Sequence, residues 1–149
     1  MSRNNGKLAE QWFESSFKTL GKKVLLYAFE DYYQAQFKSA AKATVKAQPS
    51  DYLLTENSVF GFAEVKSSLN ATSFPFADVR PLQWQYARKQ CVAGGRYEFF
   101  ILNLNTDTWY RINASYLLEH KDSGSKSIKW SLLNHCKWLP LVDKPTKKT

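Results

Sequence analysis

Cysteine is almost missing from this sequence: Cys91 and Cys136 are the only two among 149 residues. That count argues against a disulfide framework, fits a reducing cytosol and leaves both thiols as expected small core hydrophobes. Histidine is as scarce. His120 and His135 have no partners at zinc spacing, so both are expected at a surface or an interface. No run approaches the ~18 apolar residues of a membrane span. The opening "MSRNNGK" has no apolar stretch behind it, so no signal peptide is expected. A membrane-surface protein usually presents a basic amphipathic helix, and none is convincing here, so no membrane partner is expected. Internal repeats are missing. Walker loops and dinucleotide fingerprints are missing too, which predicts no nucleotide cofactor. The expected compartment is the cytoplasm.

What is present argues for one folded domain spanning 1–149. Hydrophobic residues make up 44% of the chain and aromatics 15%, too much apolar content for intrinsic disorder. The formal net charge of +8 suggests a polyanionic partner, because each phosphate neutralised releases counterions. Ribosomal proteins and simple binding modules are equally basic. Charge therefore supports nucleic acid without choosing an activity.

Residues Leu8 to Leu20 predict a helix. Leu8, Trp12, Phe13, Phe17 and Leu20 fall within about half its circumference at ~100° per residue. Glu10 sits at the border of that apolar face, Glu14 lies further towards solvent, and Gly21 stops the helix. "KVLLYAF" reads as a first strand. The next segment mixes Tyr32, Tyr33 and Phe37 with Lys38, Lys42 and Lys46 before Pro49 closes it. Lysines four apart share a side whether the segment is helical or extended, so a basic edge survives either assignment; an ordinary solvated face is the plain alternative. Val59 to Lys66 reads as the central strand and "SLNATSFPFADVR" as a loop. Pro81 opens a helix reaching about Gly94. "RYEFFILNL" and "TWYRI" are strands joined at "NTD", Asn113 or Ser115 caps a short helix through Tyr116 to Glu119, and "GSKSIKWSLLNHCKW" holds a last one. Trp84, Trp109, Trp130 and Trp138 are expected in the core. The tail "DKPTKKT" (143–149) is expected to be flexible and basic. The order predicts a mixed α/β domain with a central sheet.

One constellation carries chemistry. Alternate strand residues share a face, so Glu64 and Lys66 project the same way. Asp51 precedes Glu64 by thirteen residues, about right for a neighbouring strand returning through "LLTENS". Buried charges must be paired, hydrogen-bonded or bound to metal, and two carboxylates aimed at one point suit Mg²⁺ or Mn²⁺. Such an ion polarises a phosphoryl oxygen and acidifies water, while a lysine nearby offsets charge on phosphorus. The spacing by itself is weak, since Glu-x-Lys occurs on many surface strands. A strand-end salt bridge from Lys66 to Asp51 or Glu64 is the structural alternative.

The surrounding motifs extend the case. "NNGKLAE" with Gly6 and Glu10, "QPSDY" with Asp51, "EVK" with Glu64 and Lys66, "TSFPF", Gln83, "GSKSI" and "WLPL" follow in order. From Asn4 to about Val142 the chain resembles the RecU family of Holliday junction resolvases, within the PD-(D/E)xK nuclease superfamily. The resemblance implies a restriction-endonuclease-like mixed central sheet flanked by helices, with residues 31–50 forming a projecting stalk that binds the junction. It implies Asp51 and Glu64 as principal metal ligands and Lys66 as catalytic lysine. Glu10 would complete the metal shell directly or through water, and Gln83 would reach the phosphate or the water; an ordinary helix-surface amide is the bland reading of Gln83. Tyr32, Tyr33, Lys38, Lys42 and Lys46 of the stalk, with Arg80 and Arg88, would contact DNA, aromatics stacking on splayed bases. Mg²⁺, with Mn²⁺ as substitute, is the implied cofactor.

The implied activity is resolution of four-way junctions by paired symmetric nicks, and a C2 homodimer would supply two active sites. Leu82 stands where many family members have a histidine before Gln83, and "DYLLTEN" replaces their glycine-rich turn. The polar N-terminal extension of many bacterial members is missing, and the compact size suits a phage-encoded version. The alternatives are a general duplex or nicking nuclease of the same superfamily, a non-catalytic DNA-binding protein on the same scaffold, and a purely structural basic protein.

Overall fold

The computed structural model describes residues 3–29 and 48–146. The elements run α1 (Arg3–Lys18), β1 (Val24–Ala28), β2 (Tyr52–Glu56), β3 (Val59–Ser68), β4 (Ser73–Pro75), α2 (Pro81–Val92), β5 (Arg96–Asn103), β6 (Thr108–Asn113), α3 (Ala114–Asp122), β7 (Ser127–Lys129) and β8 (Lys137–Trp138), with short 3-10 turns between some of them. Six strands form one mixed sheet in the order β1-β2-β3-β5-β6-β8, and β4 pairs with β7 apart from it. Among the neighbouring strands of the described residues, only β3 and β5 run parallel. A parallel pair needs a crossover of a dozen residues or more, and the stretch from β4 through α2 supplies it. This is the mixed α/β architecture with a central sheet flanked by helices.

The β2–β3 hairpin fixes the register on which the site depends. Asn57 and Ser58 at its tip both have positive φ, 51° and 66°. Two such residues form the tight turn whose twist matches antiparallel strands. Glu56 then pairs with Val59, and counting back brings Tyr52 opposite Ala63. Gly61 is needed one step away. A Cβ there would lie 2.7 Å from the Arg96 carbonyl oxygen where β5 enters beside β3.

Side-chain alternation divides the core between the two faces of the sheet. On one face Tyr52, Leu54, Ala63, Val65, Phe100 and Leu102 lie under Ala9, Trp12, Phe13 and Phe17 of α1. The ring of Phe13 sits 4.7–4.9 Å from the rings of Phe100, Tyr52 and Phe17. On the other face Tyr97, Phe99, Ile101, Tyr110 and Ile112 pack against Trp84 and Ala87 of α2 and Leu117 and Leu118 of α3. Asn113 caps α3, its side-chain oxygen accepting from the Ser115 amide. That helix runs further than Tyr116 to Glu119.

The segment expected to hold a last α-helix is instead β7, a 3-10 turn over Trp130–Cys136, and β8. Trp130 and Leu133 are both buried and stand three residues apart, the period of a 3-10 turn rather than an α-helix. Part of the expected "SLNATSFPFADVR" loop is β4, because Phe74 finds Ile128 across the β4–β7 pair. Trp84, Trp109 and Trp130 are buried as expected, and Trp138 is half-buried. Both cysteines are free and half-buried against the α2-side core. Tyr116 lies between the two histidines, its ring edge-on to His120 and His135 at 4.8 and 5.1 Å. Trp12 donates to the Val142 carbonyl at 3.0 Å and Ser16 accepts from the Leu141 amide at 2.7 Å, so the C-terminal segment is strapped across α1. Lys144, in the stretch expected as a free tail, pairs with Asp107. No helix among the described residues is long and apolar enough to cross a membrane.

Candidate active site

Asp51 stands one residue before β2. The hairpin register, extended by that one residue, sets it opposite Glu64. The β2–β3 ladder ends here for a visible reason. Asp51 Oδ2 accepts the Val65 amide at 2.9 Å, taking a donor that a longer ladder would give to a backbone carbonyl. The Asp51 carbonyl meanwhile accepts from the Phe29 amide at 2.9 Å, holding the residue to the β1 side as well. A side chain clamped to β3 backbone beside Glu64 brings the two carboxyls into hydrogen-bond contact.

Glu64 is 1% exposed and points to the α2 side, in phase with Phe62 on β3 and with Tyr97 and Phe99 on β5. Gln83, in the first turn of α2, donates from Nε2 to Glu64 Oε1 at 2.7 Å. Its own carbonyl oxygen accepts the Arg80 amide at 2.9 Å. That second bond fixes which end of the amide faces the carboxylate: capping the helix orients Gln83. The bland surface-amide reading of this residue is set aside by these two bonds. Tyr97, fully buried, directs its hydroxyl at the Pro49 carbonyl (2.8 Å) and at Glu64 Oε2 (3.3 Å). Lys66 Nζ lies 3.9 Å from Glu64 Oε1, a loose ion pair on the same strand face.

Burial foremost, then the charge and hydrogen bond of Asp51, hold the Glu64 carboxyl well above its ordinary range. Lys66 and Tyr97 pull the other way and do not win. Burial also pushes the Tyr97 phenol far up, helped by the Glu64 and Asp51 carboxylates, so it remains an O–H donor. A buried acid pressed against a half-buried one makes an uncomfortable site without a cation. A divalent ion is the partner that relieves both at once. The donor set fits Mg²⁺, which is commonly bound by one or two protein carboxylates and otherwise keeps its own waters.

Glu10 is not brought into this cluster. It is exposed on α1, which covers the opposite face of the sheet through Ala9, Trp12 and Phe13, and no group of three potential metal-binding side chains occurs among the described residues. The neighbour of Glu10 one turn on corrects the helical-wheel reading: Glu14, expected further towards solvent, is half-buried and accepts the Tyr52 hydroxyl at 2.7 Å. Burial, then that bond, raises the Tyr52 phenol well above its usual range, and the charge of Glu10 contributes. Arg80 is exposed at the start of α2, and Arg88 is held in a two-pronged pair with Asp122 at 2.9 and 2.6 Å. Tyr32, Tyr33, Lys38, Lys42 and Lys46 lie outside the described residues.

Sequence reasoning missed Tyr97 and the Pro49 carbonyl. Tyr97 reads as one more apolar residue in "RYEFF", and only the parallel register of β5 against β3 reveals what its hydroxyl meets. It also missed a second buried charge group on the α1 side. Arg111 joins Glu98 (2.7 and 2.9 Å) to Glu56 (3.0 Å), and Arg96 completes it by pairing with Glu98. With two acids matched by two arginines, that group is self-neutralising. The Asp51–Glu64 pair, with one loosely placed lysine, is not.

No protein-family model matches the chain and no curated protein matches its sequence. Among solved structures, the chain is similar to Hjc of Archaeoglobus fulgidus, a Holliday junction resolvase from an archaeal hyperthermophile. The identity is 12% over 83% of this chain and 90% of that chain, with a TM-score of 0.49. Likeness at that level assigns no chemistry, which must come from the residues themselves.

Proposed function

We propose that this protein is a metal-dependent, structure-selective DNA endonuclease that resolves four-way junctions by paired symmetric nicks. One observation carries the reading: the carboxyl of half-buried Asp51, just before β2, meets that of buried Glu64 on β3, with an ammonium 3.9 Å from Glu64. The ordered motifs that resemble RecU-type resolvases point to the same residues, and the net charge of +8 suits a phosphate-rich substrate.

Asp51 and Glu64 would hold Mg²⁺, with Mn²⁺ as substitute; when bound, such a cation polarises a phosphoryl oxygen and lowers the pKa of water. The chain's own contribution is preorganisation. The Val65 amide aims Asp51, Gln83 and Tyr97 take one oxygen each of Glu64, and none of these groups has to move when charge develops. Lys66 sets a positive charge on the same face, suited to offset negative charge building on the phosphorus. Burial of Glu64 keeps competing water from its flank. Two such centres in a C2 homodimer would match the near two-fold symmetry of a four-way junction. Selection by shape and backbone charge needs no base reading.

The test is cleavage of a labelled four-way junction and of linear duplex of the same sequence, with Mg²⁺, by wild type and by Asp51→Asn. Expected are paired nicks in the junction, little cutting of duplex, and loss of cutting with retained binding in the variant. Equal rates on the two substrates would favour a general nuclease, and undiminished cutting by Asp51→Asn would remove the site.

A further inference from the structure

Asp51 lies beyond the end of the β2–β3 ladder, so backbone pairing between those strands cannot hold the two acids together. Something else must fix the chain just before Asp51 relative to Glu64. Pro49 lies two residues upstream, and its nitrogen carries no hydrogen to bond with. Its carbonyl is free to accept, and it does so from Tyr97 at 2.8 Å. Tyr97 comes from β5, on the other side of β3 from β2. Its hydroxyl reaches past β3 to touch Glu64 Oε2 at 3.3 Å and the Pro49 carbonyl, two residues before Asp51. The ring is fully buried, packed near Phe62 and Phe99 with centroids 6.2 and 5.5 Å away, so the hydroxyl position is set by the core.

We infer that Tyr97 is a positioning residue that ties the Asp51 segment to Glu64 and so sets the spacing of the two carboxylates for a divalent cation. The inference rests on Asp51 and Glu64 being the ligands of one cation. It explains why a phenol is placed in an otherwise apolar run beside a carboxylate. Without its hydroxyl the Pro49 carbonyl loses its partner, Glu64 Oε2 loses a donor, and Asp51 is held by the Val65 amide and the Phe29 amide alone. Groups that orient metal ligands are typically worth about 10- to 100-fold in metal affinity.

The experiment is calorimetric titration of Mn²⁺ into the intact, DNA-free protein, with wild type, Tyr97→Phe, Asp51→Asn and Tyr116→Phe. Phenylalanine keeps the ring and its packing, so Tyr97→Phe retains the fold. Tyr116 also gives its hydroxyl to a carbonyl, that of Leu132 at 3.3 Å, far from the acids in the chain; removing it controls for the general effect of deleting such a bond. Expected is a dissociation constant raised about 10- to 100-fold in Tyr97→Phe, abolished binding in Asp51→Asn and an unchanged constant in Tyr116→Phe. A Tyr97→Phe protein that binds Mn²⁺ within twofold of wild type overturns the role of Tyr97 and leaves the acid pair intact. A wild type that binds no Mn²⁺, or an Asp51→Asn that binds as well as wild type, overturns the acid pair as a cation site and the role of Tyr97 with it. Equal weakening in Tyr97→Phe and Tyr116→Phe assigns the effect to general loosening and also overturns the proposal.

Discussion

Replacing Glu64 by glutamine should stabilise the metal-free protein while abolishing cleavage. In the wild type a carboxyl 1% exposed contacts the Asp51 carboxyl, and charging it is opposed by burial and by that neighbour. A glutamine keeps the shape and still offers an oxygen to Gln83 Nε2, which now bonds Glu64 at 2.7 Å. Its amide nitrogen, in the place of Oε2, gives Asp51 a donor at every pH, where the wild type must keep a proton between two acids, and Tyr97 retains the Pro49 carbonyl as its acceptor. One hydrogen bond to a charged group is worth about 1.5–3 kcal/mol. For a chain of this size that is a melting point higher by about 3–12 °C. The sign with pH follows from the raised Glu64 carboxyl. Below the ordinary carboxyl range it is protonated folded and unfolded, and it costs nothing. From that range up to the raised value the unfolded carboxyl ionises while the folded one keeps its proton, so wild-type stability falls relative to the variant and levels off above it. The assay is thermal melting in chelator across acid to neutral pH, then with Mg²⁺. The gap should be small in acid, open towards neutrality, and close again as Mg²⁺ stabilises the wild type alone; ligand at ~100 times its dissociation constant adds about 2.7 kcal/mol. A variant that melts below wild type at neutral pH without divalent ions refutes the reasoning, as does a gap that ignores pH.

Gln83→Ala removes both the cap of the Arg80 amide and the donor to Glu64; it should cost about 0.5–2 kcal/mol in urea melts and about 10- to 100-fold in cleavage rate. Arg111→Met takes from buried Glu98 and half-buried Glu56 the cation they share, leaving Glu98 with Arg96 alone, and should destabilise by roughly 3–5 kcal/mol. Arg88→Ala breaks only an exposed pair with Asp122 and should leave stability nearly unchanged; similar losses in the two variants would contradict the burial argument. Replacing Lys38, Lys42 and Lys46 together by alanine should weaken junction binding. Its salt slope should fall by up to about 0.9 for each phosphate that the variant leaves unneutralised, read by binding titrations at several salt concentrations.

The acid pair was legible because its causes are local. A two-residue turn at Asn57–Ser58 joins β2 to β3, and strands alternate with period two, so counting along the chain puts Asp51 across from Glu64 and Lys66 on the same face. The central sheet was legible for the same reason, since apolar runs and turn formers are read within a few residues. The misreading of Glu14 has the opposite origin. A helical wheel gives directions around an axis without saying what waits there, and the Tyr52 hydroxyl, brought by β2, decides that Glu14 is the half-buried acid. The 3-10 turn at Trp130–Cys136 was misread because its apolar residues suit either helix until β7 and β8 pin its ends.

What the chain's order of residues determined alone was the kind of chemistry on offer: two acids and an amine within one hairpin, in a basic chain without thiol or imidazole clusters. Tertiary structure decided how that chemistry is held. Tyr97 and Gln83 reach Glu64 only because the crossover from β3 to β5 sets a parallel register and lays α2 over that face. Registers across a long crossover depend on how whole layers pack, and no local count along the sequence contains that information.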